Sequence, residues 1–179
     1  EEAAREDPPL LGSKEATSYR ALAARLNYLA ADRMDLQFAT KCVAKHMSPP
    51  REHDWIALKR VGRYLRVSPR LIQMFEFQEM PTVVCTYTDS DWAGCSKSRK
   101  STSGAVIMLG KHLVKSYSRM QKVIAMSSAE AETYGMVSCS AEILEIQACA
   151  RDMGMYFEAN ATKRLGLEQK PTGLATRRI

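Results

Sequence analysis

The chain has 179 residues, 45% of them hydrophobic, which is enough for one or two small domains with a buried core. Its 26 Lys+Arg against 20 Asp+Glu leave a net charge of +6, which is compatible with binding nucleic acid without being diagnostic of it. No apolar run approaches the roughly 18 residues of a membrane span, and the polar start, Glu1 to Pro9, is not a signal peptide.

Residues 1–16 are charged, contain proline and show no apolar period, so they read as a linker or arm. From Ser18 the pattern turns helical: Tyr19, Leu22, Ala23, Leu26, Leu29 and Ala30 recur at three and four residues. A break at Asp32–Asp35 precedes a second helical run through Leu36, Ala39, Val43 and Met47, which Pro49-Pro50 must end. A third helix is predicted over Glu52–Val67, burying Trp55, Leu58, Val61 and Leu65. Residues 17–75 thus form a small three-helix segment.

After Pro69 the character changes. Thr82–Thr88 and Gly104–Leu109 are β-rich, and Gly110-Lys111 suits a two-residue type II′ turn into a returning strand, His112–Ser118. Beyond the short apolar run Val123–Met126, a long helix opens at Ser127 and reaches about Met153, with Gly154 placed to close it. Met155–Phe157 is at most a very short strand before a polar, basic tail. Antiparallel strands, a helix and a further strand over residues 82–179 make the fold class α+β.

The five cysteines (Cys42, Cys85, Cys95, Cys139, Cys149) are odd in number and contain no C-x-x-C pair. With three histidines (His46, His53, His112) and none near a cysteine pair, no zinc site is expected. Cys85 in a strand pattern and Cys149 in a helix pattern read as small buried hydrophobes of an intracellular, reducing compartment.

Three carboxylates carry candidate chemistry. Asp89 follows an apolar strand in Tyr87-Thr-Asp-Ser-Asp-Trp-Ala-Gly94; carboxylates at a strand end hold Mg²⁺, although an Asx-turn gives the same pattern. Glu130 stands three residues after Ser127, the capping-box spacing, and is structural. Glu132 has no such duty, and it lies in the first turns of the helix, where it could face the end of the first strand. Lys59, Arg63 and Arg66 share one side of the third helix, and Lys97, Arg99 and Lys100 cluster after Asp91. Both sets suit phosphate contacts, and the helical set equally suits a solvated face.

Tyr87–Gly94, then Arg99-Lys-Ser-Thr-Ser-Gly104, then Gln121–Glu132 closely resemble the ribonuclease H domain of copia-type retrotransposon Pol polyproteins, in that family's order and spacing. Upstream, Tyr19–Leu22, Leu26–Leu29 and Glu52–Leu65 resemble the helices that follow its polymerase palm, so residues 17–75 would be the thumb- or connection-like end of the reverse transcriptase. The resemblance implies a ribonuclease H-like mixed sheet with antiparallel first strands and a long packed helix. It also implies hydrolysis of the RNA strand of RNA–DNA hybrids with Mg²⁺ or Mn²⁺. Asp89 matches the first carboxylate and Glu132 the second. Glu158 stands where the family has Asp, behind a shortened strand, and Arg178 stands in place of a His. The polymerase Tyr-x-Asp-Asp motif is missing, so no DNA synthesis is expected. The start without Met and the abrupt end suggest a fragment or processed product, truncated before the family's last acidic residue. Hydrolysis is therefore expected to be weak or lost. The alternative is a non-catalytic structural or binding subunit held by a protein partner.

Overall fold

A computed structural model describes residues 8–159 and the backbone of 163–164. The chain divides between Gln73 and Met74 into two compact units.

The first unit is helical: α1 (Ser13–Leu29), a 3₁₀ turn (Met34–Leu36), α2 (Gln37–Ala44) and α3 (Glu52–Val67). The first helix starts five residues before Ser18. Ala16 extends the buried stripe of Tyr19, Ala23 and Leu26, so the polar turn 13–15 belongs to the helix and not to the arm. Residues just before it are tied down: Leu11 N–H donates to the Pro50 carbonyl (3.0 Å), and Glu52 N–H donates to the Pro9 carbonyl (3.2 Å). Tyr19, Leu36, Val43, Leu58 and Val61 form the core, with Trp55 and Leu65 packed half-buried against it. The Tyr19 hydroxyl donates to the Val43 carbonyl (2.7 Å), and burial pushes its pKa up to about 12. A buried phenol with a partner costs little, whereas one without costs roughly 1–3 kcal/mol. Arg33, also buried, forks onto Asp35 and reaches the Ser68 and Pro69 carbonyls, closing the end of α3 against the 3₁₀ turn.

The second unit is α+β, with a mixed sheet. β1 (Val83–Asp91), β2 (Thr102–Leu109) and β3 (His112–Met120) are antiparallel in the order β3-β2-β1. The short β4 (Glu158–Ala159) and β5 (Lys163–Arg164) both run parallel to β1. Gly110 turns the β2–β3 hairpin at φ 59°, where a Cβ would strike Gln78 and Pro81. α4 (Ser128–Asp152) packs on the sheet through Cys139 and Ile143 against Val84, Ala105, Ile107 and Tyr117. Its start is capped: Ser127 Oγ accepts from Glu130 N–H (3.1 Å), and Glu130 Oε2 accepts from Met126 N–H (2.6 Å). Gly154 closes it at φ 76°. Met155–Phe157 forms no strand; pairing with β1 begins only at Glu158. Cys149 is exposed and Cys85 half-buried, because the outer alternations of α4 and β1 carry them. Of the five free thiols, Cys95 and Cys139 are the buried ones. Among the described residues no helix is long and apolar enough to cross a membrane.

Candidate active site

Alternation along β1 sets the site. Val84, Thr86 and Thr88 are buried, whereas Asp89 follows Val83, Cys85 and Tyr87 on the other alternation and is exposed. It stands opposite Gly104 of β2, two residues before the strand ends. Asp91 closes the strand by packing its carboxylate against the Gly94 turn, leaving no room for a Cβ there. The Trp92 indole N–H donates to the Ala125 carbonyl (3.0 Å), fastening this corner to the segment that leads into α4.

Gln121 then fixes the helix start. Its Nε2 donates to the Ala131 carbonyl (2.7 Å) and to Ser103 Oγ (2.8 Å), and Ser103 pairs with Ser90 of β1. Gly135 faces the same joint, where a Cβ would rest in van der Waals contact 3.4 Å from Ser103 Oγ. The half-buried Glu132 is thereby held at the same end of the sheet as Asp89. Glu130 is fully occupied by its cap and by the Tyr134 hydroxyl (2.9 Å).

Glu158 is not brought to them. Parallel pairing sets it level with Val83, six residues before Asp89 and so about 20 Å away along β1 at ~3.3 Å per residue. Glu158 N–H donates to the Thr82 carbonyl (2.7 Å), so the strand beside β1 starts where the resemblance has it end. Thr88 pairs with Arg164, so the place level with Asp89 lies past Arg164, outside the described residues, as does Arg178.

The basic residues fall on separate units. On α3, Lys59, Arg63 and Arg66 are exposed, with the Lys59 ammonium 5.7 Å above the Trp55 ring. After β1, Lys97 and Arg99 are exposed and Lys100 is half-buried. Arg99 takes φ 55°, held by its N–H donating to the Cys95 carbonyl (2.7 Å).

Two clusters lie outside the sequence reading. Glu142 is buried on the sheet-facing side of α4 and accepts from Lys115 and from Arg119 Nη1 (2.6 Å) on β3. Lys115, and then Arg119, hold its carboxyl below the usual range. A glutamate on the period of Gly135, Cys139 and Ile146 was the available signal. The second cluster is His46, His53 and Asp54, the one group of three metal-ligating residues among the described residues whose ligand atoms all lie within 4.8 Å. A search for cysteine pairs passes over it.

The chain belongs to the retrovirus-related Pol polyproteins of copia-type transposons. It is 34% identical to the Pol polyprotein from transposon RE2 of Arabidopsis thaliana over 79% of this chain and 10% of that protein. Against the Pol polyprotein from transposon TNT 1-94 of Nicotiana tabacum it is 25% identical over 81% of this chain and 11% of that one. It is also 34% identical to secreted RxLR effector protein 161 of Plasmopara viticola, over 68% of this chain and 85% of the effector. The chain thus spans about a tenth of the length of the Pol polyproteins it matches. No family model matches it, and no solved structure does.

Proposed function

We propose that residues 82–179 are a ribonuclease H-like unit that engages RNA–DNA hybrids, with its hydrolytic centre reduced to Asp89 and Glu132 so that cleavage is weakened or lost. The register that carries Glu158 to the far end of β1 carries this reading. Membership of the Pol family supplies the retroelement context. Residues 17–75 then correspond to the end of the reverse-transcriptase region.

Asp89 and Glu132 are hard oxygen donors, and Asp89 is open to solvent, which fits Mg²⁺ or Mn²⁺ with several retained waters. Such ions, when bound, activate a water and stabilise the departing oxygen. The protein's own part is to fix where the carboxylates stand: the β1–β2 ladder holds Asp89, and Gln121 with the Ser127 cap holds the turn bearing Glu132. Because Asp89 is on the alternation turned from α4, an ion shared with Glu132 would have to be held past the strand end and not across the sheet. Lys97, Arg99 and Lys100, in the loop leaving that end, would take the hybrid's phosphates. Lys59, Arg63 and Arg66 offer a second phosphate strip on the helical unit.

The test is a labelled RNA–DNA hybrid with Mg²⁺ or Mn²⁺, comparing the wild type with Asp89→Asn and with Lys97→Ala/Arg99→Ala. The expected result is salt-dependent binding, weakened by the double substitution, with slow cutting that Asp89→Asn removes. Rapid Mg²⁺-dependent turnover would show a complete centre and overturn the reduced one. Absence of both binding and cutting would instead favour a structural module that works through a protein partner.

A further inference from the structure

We propose that His46, His53 and Asp54 form a binding site for a transition-metal dication of the zinc class on the helical unit. The inference is independent of the ribonuclease H reading, whose carboxylates lie on the other unit.

Asp54 Oδ1 faces His46 Nδ1 at 2.5 Å and His53 Nε2 at 3.0 Å. The two imidazoles meet edge to face with centroids 5.9 Å apart, so both rings aim a nitrogen at one oxygen. The second carboxylate oxygen is already committed, accepting the Arg51 N–H at 2.8 Å as the helix cap of α3. A ligand carboxylate pinned through its other oxygen is what an orienting outer partner provides in metal sites. Two imidazole nitrogens and one carboxylate oxygen are a donor set suited to zinc, with a fourth position left to water.

Burial is graded in the right sense. The Asp54 side chain is 5% exposed, His46 33% and His53 48%, so the anion forms the floor and the rings the mouth. Tetrahedral ligands at ~2.1 Å from the ion stand ~3.4 Å from each other. The Asp54 separations from His46 (2.5 Å) and His53 (3.0 Å) each need widen by less than about an ångström, and the part-exposed rings of both histidines can supply that movement. An N–H hydrogen on each facing nitrogen accounts for the arrangement without an ion, and metal binding requires the tautomer that leaves those nitrogens' lone pairs free. The positive end of α3 opposes a cation, and Asp54, in its first turn, is the charge that offsets it.

Chain geometry brings the three together. His46 follows α2, Pro49-Pro50 reverses the chain, and His53 and Asp54 open α3, so seven residues of sequence collapse to hydrogen-bonding distance.

The experiment is titration of the metal-stripped 179-residue chain with Zn²⁺ against a chromophoric chelator. The wild type, His46→Gln, His53→Gln and Cys42→Ser are run in parallel, with circular dichroism to verify the fold. Binding of one equivalent is expected, weakened roughly 10–100-fold or more in either histidine variant and unchanged in Cys42→Ser. His53→Gln decides if His46→Gln misfolds, because the His53 side chain is half-exposed. Absence of stoichiometric binding overturns the site. So does wild-type binding by His53→Gln, or loss in Cys42→Ser alone, which would assign the ion to a thiol.

Discussion

Asp35 shows how one carboxylate can bind a unit together. It receives both Arg33 Nε (2.9 Å) and Nη2 (2.7 Å) and the Tyr64 hydroxyl (2.8 Å), with its side chain only 18% exposed. The Arg33 hydrogen bonds, as the largest cause, hold its pKa below the usual carboxylate range. A group with a depressed folded pKa stabilises the fold above its unfolded value near ~3.9 and loses that contribution as pH falls through the folded value. Asp35→Asn should therefore cost roughly 2 kcal/mol at neutral pH and flatten the acid limb. Thermal melts of both proteins from pH 7 down to pH 3 check this, and parallel acid limbs would remove the pair from the account. Glu130 and Glu132 illustrate the complementary point. They stand two residues apart on one helix, yet only the first is consumed by capping bonds, as the Ser127 spacing foretold. The same spacing argument could not foresee Glu142, whose partners lie 23 and 27 residues away on β3.

At the scale of elements, the seating of α4 on the sheet determines where Glu132 stands. The helix approaches at Gly135, where even a methyl group would touch Ser103 Oγ, and Gln121 spans the same joint. Gly135→Leu should lift the first turns and destabilise the unit by about 1–3 kcal/mol through overpacking, whereas Gly62→Ala on α3 meets nothing within 4 Å and should be tolerated. Urea unfolding of the two variants measures the contrast, and equal midpoints would contradict the close approach. The hairpin was legible from Gly110-Lys111 because a positive φ at the first turn position selects glycine. The strand after α4 was not. Its pairing begins at Glu158, where there is no apolar alternation to announce it, and a strand's side-chain pattern carries no record of which level of its neighbour it meets.

For the whole molecule, the stretch 68–82 between α3 and β1 has no regular structure, and Ile72, Met74 and Phe77 stand exposed along it. Limited chymotrypsin digestion should cut first at Leu71–Phe77, releasing one helical and one sheet-bearing piece; first cuts within α4 or β2 would contradict this. Composition and periodicity by themselves determined the helices, the β1–β2–β3 meander, the capped start of α4 and the α+β class, because each follows from contacts a few residues apart. They also carried the motifs that place the chain in the copia-type Pol family. Only the tertiary structure decided that Glu158 lies at the wrong end of β1 for Asp89, that Glu142 is buried between two cations, and that His46 and His53 converge on Asp54. Those facts depend on the register of a parallel strand, the depth of a helix on a sheet and the reversal of a chain at two prolines. The first two are set by packing between segments distant in sequence and the third by the path of the turn between α2 and α3, and a periodic pattern encodes none of them.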